Sequence, residues 1–133
     1  MLIPYWIQKA DFSHEDFDAV DYRQAEVALK NVDWRREKQY QQELETSERE
    51  NCDPGIGFPS DDGRILHICP DGTGKAYFHY HYSTERKFLW IIPYTSDEIA
   101  TVLNINELDF GEIIKRFFLS DHEWLINKTR EFD

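Results

Sequence analysis

Residues 53–93 read DPGIGFPSDDGRILHICPDGTGKAYFHYHYSTERKFLWIIP. Short apolar runs alternate with breaks rich in Asp, Pro and Gly, at residues 53–55, 61–63 and 70–72. Gly accepts positive φ, Pro fixes its own φ, and Asp bonds its own backbone, so these breaks favour tight turns. The alternation predicts an antiparallel meander.

The apolar runs of this segment define the predicted strands. They cover residues 55–58, 64–69, 75–82 and 87–93, with a loop at 71–74 and a turn at 83–86. The last run contains FLWII and is apolar throughout, which is typical of a central strand buried on both faces.

The flanking sequence predicts a first strand and several helices. Residues 2–7 are apolar, and Pro4 favours an edge position for this strand, while residues 11–18 are acidic and loop-like. Helical spacing of apolar residues covers 20–50, with a break at 31–33 where Asn and Asp favour caps.

Two capping signals follow the meander. Ser96, followed by two acids, predicts a helix that runs through Ile99, Val102 and Leu103 to Asn104. Asp109 predicts a second helix over 110–119, and 121–128 adds a short last element. We therefore expect a single α+β domain over residues 1–133, with an antiparallel sheet of about four or five strands and helices packed on one face.

The charge of the chain limits its partners. The 133 residues carry 26 acids and 15 bases, a net charge of −11. Nucleic acid and anionic membranes are disfavoured as partners, since both attract basic surfaces. A basic protein partner is favoured, because opposite fields accelerate encounter.

The acids are concentrated in two stretches that contain no base, residues 11–21 and 97–112. We take the following acids as candidate partner contacts: Asp11, Glu15, Asp16, Asp18, Asp21, Asp97 and Glu98. The alternative is that these acids only occupy loops and helix starts, where the helix dipole favours them.

Cysteine usage and the N-terminus indicate a cytoplasmic protein. Cys52 and Cys69 are too few for a disulfide framework. The residues MLIPYWIQKADF lack the features of a signal peptide, and no apolar run approaches the length of a membrane span.

Three histidines fall on the two clearest strands. Strand alternation places Tyr77, His79 and His81 on one face, and pairing of the two strands brings His67 beside them. Imidazoles so arranged have the chemistry of a metal site, with His67, His79 and His81 as ligands. The alternative is an exposed aromatic face on which His serves packing, and no cofactor is predicted.

Other catalytic chemistry has less support in the sequence. Cys52 or Cys69 beside a histidine is a conceivable nucleophile pair, but no thiol-enzyme signature surrounds either residue. Residues 71–74 lack the Lys-Ser/Thr that follows a phosphate-binding loop.

The meander also predicts two aromatic faces. Phe78, Tyr80 and Tyr82 share one face, which we expect to pack under the helices. Tyr77, His79 and His81 are then candidate partner contacts on the other face, since Tyr is enriched in protein interfaces.

The order of these features resembles a bacterial immunity protein of the polymorphic-toxin or contact-dependent-inhibition type. The resemblance rests on the first strand, a helical section around residues 25–29, the segment PGIGFPSDDGRILHICPDG and the closing helices, in a small acidic chain. It implies a cytosolic protein that binds a cognate toxin and covers its active site, without catalytic residues of its own.

The leading functional hypothesis is therefore a non-enzymatic binding protein that neutralises a basic toxin domain, such as a nuclease. The alternative is a metal-dependent enzyme, or a metal-binding protein, that uses the histidine cluster.

Overall fold

The computed structural model describes residues 2–89 and 92–130, which form six strands and four α-helices. The strands are β1 (Ile3–Gln8), β2 (His14–Ala19), β3 (Gly55–Pro59), β4 (Ile65–Pro70), β5 (Lys75–Phe88) and β6 (Ile92–Asn106). The helices are α1 (Tyr22–Asn31), α2 (Trp34–Thr46), α3 (Phe110–Phe118) and α4 (His122–Arg130).

The strands form one antiparallel sheet in the order β2-β1-β3-β4-β5-β6. The predicted α+β class is confirmed, although the sheet has more strands than predicted. The meander from β3 to β5 follows the turn signals of the sequence. Gly63 and Gly72 adopt positive φ in the two tight turns, as the Asp-Gly breaks predict.

The N-terminal prediction is wrong in two respects. Residues 14–19 form the edge strand β2 instead of lying in an acidic loop, and β1 lies inside the sheet between β2 and β3. The acidic sequence of β2 hides its strand character, because only Ala19 of this strand is buried.

The predictions for residues 83–104 are also wrong. Residues 83–86 continue β5. Of the run 87–93, residues 87–88 end β5 and residues 92–93 begin β6, while Trp90 and Ile91 lie outside the described residues. The helix predicted after Ser96 belongs to β6. Pairing with β5 along most of its length outweighs the capping signal, and the β-branched residues of β6 suit a strand.

The helix predictions otherwise agree with the structure. Asp33 marks the predicted break and caps α2, its carboxylate accepting a hydrogen bond from the Arg36 amide at 3.1 Å. Asp21 caps α1 by accepting a hydrogen bond from the Gln24 amide at 2.8 Å. α3 begins directly after Asp109, as predicted, although the Asp109 side chain makes no capping bond. No described helix is long and apolar enough to cross a membrane.

The core lies between one face of the sheet and the helices α1, α3 and α4. The sheet contributes alternate residues, among them Phe58, Leu66, Phe78 and Tyr80, as strand alternation predicts. The helices contribute Ala25, Leu29, Ile113, Phe117 and Leu125. We call this side of the sheet the covered face and the opposite side the open face.

Candidate functional site

The open face carries a row of residues that crosses the whole sheet. Strand register places one residue from each strand side by side, in the order Asp16, Trp6, Gly57, His67, His79 and Thr101. Directly paired residues of an antiparallel sheet project to the same face. We call this set the cross-strand row.

Aromatic rings of the cross-strand row stack on one another. The Trp6 and His67 ring centroids are 6.5 Å apart, and those of His67 and His79 are 6.4 Å apart, with interplanar angles of 15° in both pairs. Trp6 lies over Gly57, since a Cβ atom at Gly57 would stand 2.1 Å from the indole ring. Glycine at this position therefore allows the indole to lie flat on the sheet.

The row continues toward β6 through hydrogen bonding. His79 Nδ1 lies 3.0 Å from the Thr101 hydroxyl, which fixes the orientation of the imidazole. Tyr77 and His81 flank His79 along β5, both in edge-to-face contact with it. The structure thus brings together the predicted Tyr77, His79, His81 and His67.

His67 is the most enclosed imidazole of the row. Burial and the neighbouring imidazoles His79 and His81 lower the pKa of His67 to about 4. Burial and His81 also lower the pKa of His79. His67 is therefore neutral at pH 7. Its Nε2 atom is buried, accepts or donates no hydrogen bond, and lies against Gly55.

Cys69 lies beside His67 on the same face of β4, as strand alternation predicts. Its Sγ is 3.4 Å from His67 Nδ1. Burial raises the pKa of the Cys69 thiol to about 12, so the thiol stays protonated. A nucleophilic cysteine acts as a thiolate, so the raised pKa of Cys69 gives the thiol-enzyme hypothesis no support, although the thiol lies beside an imidazole.

The rings of His67 and His79 are stacked, and His81 contacts His79 edge to face. Across the described ranges 2–89 and 92–130, no group of three or more His, Cys, Asp or Glu side chains is placed to hold a metal ion. The arrangement gives the metal-site alternative no geometric support.

Polar contacts close one end of the open face. The carboxylate of Asp53 accepts a hydrogen bond from the Gln41 side chain of α2 at 2.8 Å. Burial alone would raise the pKa of Asp53, but the nearby Tyr77 hydroxyl, the bond from Gln41 and the charge of Lys38 lower it overall. Tyr77 therefore lies at the end of the open face that is next to α2.

The candidate acids are divided among several locations. Asp16 belongs to the cross-strand row, and Asp97, paired with Ser83 through a 2.9 Å hydrogen bond, lies at the opposite edge of the sheet. Glu15, Asp18 and Glu98 also lie on the two edge strands β2 and β6. Asp11 bonds Ser13 within the β1–β2 turn, and Asp21 caps α1, so these two acids serve local structure.

Sequence reasoning missed three members of the row, Trp6, Gly57 and Thr101; Thr101 lies in the segment that was predicted to be helical. Gly57 lies inside a strand, and such a glycine often marks a close approach by another group. Alternation in β1 puts Trp6 on the face opposite the buried Ile3 and Tyr5, which is the signal that could have located it.

A second cluster also escaped the sequence analysis. The nearly buried Arg64 donates to the Tyr80 hydroxyl at 3.2 Å and to the Ser120 hydroxyl at 3.1 Å, and it pairs with Asp62 at 2.8 Å. The Tyr80 hydroxyl also lies 2.9 Å from His122 Nδ1. These bonds join the covered face to the α3–α4 corner, and they assign Arg64 to the core and not to the exposed aromatic face.

No known protein family, curated protein or solved structure matches this chain.

Proposed function

We propose that this protein is a non-enzymatic binding protein, and that it inhibits a basic protein partner by covering it with the open face. The observation that supports the proposal is the cross-strand row. A set of stacked rings, Trp6, His67 and His79, lies half-buried on the open face of the sheet, with Asp16 at one edge strand and Asp97 at the other.

The residue types of the cross-strand row suit the binding of another protein. Rigid aromatic rings bury a large area at small cost in side-chain entropy, and Trp and Tyr provide a high share of binding hot spots. His67 is neutral at pH 7, so the centre of the face carries no positive charge from it. The surrounding acids and the net charge of −11 favour a partner whose contact surface is basic.

An inhibitor of a toxin domain, as in the immunity proteins that the sequence resembles, is the specific form of this proposal. Such a protein must cover a surface and carry out no chemistry, and the raised pKa of the buried Cys69 thiol is consistent with that role. The cytoplasmic location predicted from the sequence belongs to the same proposal.

The test compares two variants with the same charge change. Thr101→Lys places a positive charge at the end of the row, and Val27→Lys places one on an equally accessible part of α1, away from the open face. A protein captured from the host at low salt is purified, and its affinity for each variant is measured by calorimetry. We expect Thr101→Lys to weaken binding about tenfold or more, with little effect of Val27→Lys.

Two further measurements sharpen the test. Trp6→Ala should weaken binding about 30-fold, as for a hot-spot residue. Asp16→Lys and Asp18→Lys should slow association at low salt, with a smaller difference at high salt. Equal affinities for Thr101→Lys and Val27→Lys would assign binding to another surface. A captured partner that stays fully active when the wild-type protein is bound would contradict inhibition.

A further inference from the structure

A polar cleft of about 270 Å³ lies at the junction between α3 and α4. Its lining residues are Asp62, Arg64, Tyr82, Ser83, Ser120 and His122. The first two come from the β3–β4 turn, the next two from β5, and the last two from the junction itself. Each of these side chains carries a hydrogen-bonding group, so the cleft suits a polar ligand.

Arg64 is a nearly buried charge in this lining, with 9% of its surface exposed. Its guanidinium carries five N–H donors. Nε donates to both oxygens of Asp62, at 2.8 and 2.9 Å, while Nη1 and Nη2 donate to the hydroxyls of Tyr80 and Ser120. Each Nη nitrogen therefore keeps one hydrogen that no group in residues 2–89 and 92–130 accepts. These hydrogens need an acceptor, either water or a ligand, because a buried charge without hydrogen bonds is costly.

The hydrogen bonds of Tyr80 determine which nitrogen of His122 carries a hydrogen. The Tyr80 oxygen accepts from Arg64, so its own hydrogen must go to another acceptor. His122 Nδ1 lies 2.9 Å from this oxygen and is its acceptor within the described part of the chain. Nδ1 then carries no hydrogen, and Nε2 of the imidazole is a donor.

Ser120 provides a further donor at the same place. Its oxygen accepts from Arg64 Nη2 at 3.1 Å, and among the described residues its own hydrogen has no acceptor. The residue has a φ of 57° directly after the C-cap of α3, where glycine is the usual residue. A serine at this position therefore retains a hydroxyl in a backbone conformation that glycine would adopt more favourably.

The unused donors of the cleft match an oxyanion. They are two N–H groups of Arg64, the hydroxyl of Ser120 and Nε2–H of His122. The other polar groups are already bonded, since Asp62 binds Arg64 Nε and the Ser83 hydroxyl donates to Asp97 at 2.9 Å. A carboxylate or a phosphate accepts several hydrogen bonds at once and pairs favourably with a guanidinium. A cation or an apolar group would leave these donors unmatched.

We propose that this cleft binds a small oxyanion, a carboxylate or a phosphate, through Arg64, Ser120 and His122. The charge of Asp62 and the net charge of −11 oppose the binding of an anion. We therefore expect weak association, with a Kd of about 1 mM. The inference is independent of the proposed inhibitor function, because no residue of the cross-strand row lines the cleft.

The proposal is tested by NMR titration of the full chain at pH 7 and constant ionic strength. The probes are inorganic phosphate and acetate, and chloride serves as the reference anion. We expect saturable shifts of the Ser120 amide and the His122 ring with at least one probe, and none with chloride. The probe that binds more tightly identifies the class of ligand, phosphate or carboxylate. The absence of a saturable shift with either probe up to about 50 mM, well above the expected Kd, would overturn the proposal.

A glycine variant tests the role of the Ser120 hydroxyl without straining the backbone. Ser120→Gly suits the φ of 57°, so it should fold, and loss of the hydroxyl should weaken binding of the tighter probe about fivefold to tenfold. Ser47→Gly, at the exposed C-cap of α2, is the matched control and should leave the affinity unchanged. Equal affinities of the two variants would contradict the assigned site.

Two further variants test the other donors. Arg64→Lys keeps the charge but loses the planar fork, and it should weaken binding at least tenfold in a protein whose amide spectrum shows that the fold is retained. His122→Phe keeps an aromatic ring without the Nε2 donor and should weaken binding about fivefold, whereas His14→Phe on the exposed edge strand should not. Wild-type affinity in His122→Phe, or the same loss in His14→Phe, would place the anion elsewhere and overturn the assignment.

Discussion

The two faces of the sheet are built from alternate residues of the same strands, yet one face packs against helices and the other carries a row of partly exposed rings. On the covered face, Phe58 and Phe78 are fully buried, and the Tyr80 hydroxyl is bonded by Arg64 and paired with His122. On the open face, the rings of Trp6, His67 and His79 stack sideways and are only partly buried, and His67 Nε2 makes no hydrogen bond. Aromatic content alone therefore does not identify a core. The layer above the rings decides whether they stabilise the fold or present a surface.

Truncation of a ring should give the largest difference in stability loss between the two faces. Phe58→Ala should reduce the free energy of unfolding by about 3–5 kcal/mol, because Phe58 packs on Tyr5 and Phe118 and leaves a cavity. His79→Ala on the open face should cost about 1 kcal/mol or less. Urea unfolding at pH 7 measures both, and similar losses would mean that the open face is a second core.

The contact between Gly57 and Trp6 can be tested by substitution, which shows whether the indole packs on the sheet or is mobile. Gly57→Ala should destabilise the protein by about 1–3 kcal/mol, since its Cβ would occupy the position of the indole. The same change in a Trp6→Ala background should cost much less. Urea unfolding of the four proteins completes the double-mutant cycle. Additive losses would show that Trp6 does not rest on Gly57.

His67 of the cross-strand row should make the free energy of unfolding depend on pH. The pKa of His67 is about 4 in the folded protein against 6.5 ordinarily, so between these values the unfolded chain binds more protons. The free energy of unfolding should therefore fall as the pH decreases from about 6.5 to 4, by about 1–3 kcal/mol in total.

Urea unfolding across this range compares the wild type with His67→Gln, and with His14→Gln as the control at the exposed edge. Only His67→Gln should flatten the dependence. NMR titration of the His67 ring in the wild-type protein tests the same point without a substitution. A midpoint near 6.5 would show that the ring is not enclosed.

Removal of a tyrosine hydroxyl should give the smallest difference in stability loss between the two faces, and two tyrosines of β5 allow the comparison. Tyr80→Phe should cost about 1–2 kcal/mol, because Arg64 and His122 each lose a partner where little water can enter. Tyr77→Phe should cost about 0.5–1 kcal/mol, since the half-exposed Asp53 can bond water instead. Thermal unfolding of both variants measures the two losses, and a larger loss for Tyr77→Phe would reverse the assigned roles of the faces.

The edges of the sheet suggest why the acidic residues are placed as they are. β2 and β6 are the two unpaired edges, and they carry Glu15, Asp16 and Asp18 on one side and Asp97 and Glu98 on the other. Charges on an edge strand hinder pairing with another chain. The acidic stretches therefore protect the edges, and this role is compatible with steering a basic partner.

The sequence by itself determined the α+β class, the meander from β3 to β5 and the break before α2. It also placed His67, His79 and His81 on one face, but it left open whether His67 lies beside His79 or His81. These features depend on turn residues, caps and strand alternation, which act over a few residues. The sequence also established the acidic charge, which limits the class of partner.

Only the tertiary structure decided that residues 14–19 and 96–104 are strands, that residues 83–86 continue β5, and that Trp6 joins the cross-strand row. It also placed Arg64 between Tyr80 and Ser120, residues distant in sequence. The physical reason is that these features depend on long-range pairing. A strand gains most of its stability from its neighbours, so an acidic edge or a helix-capping signal can be outweighed by a partner strand that local sequence does not reveal.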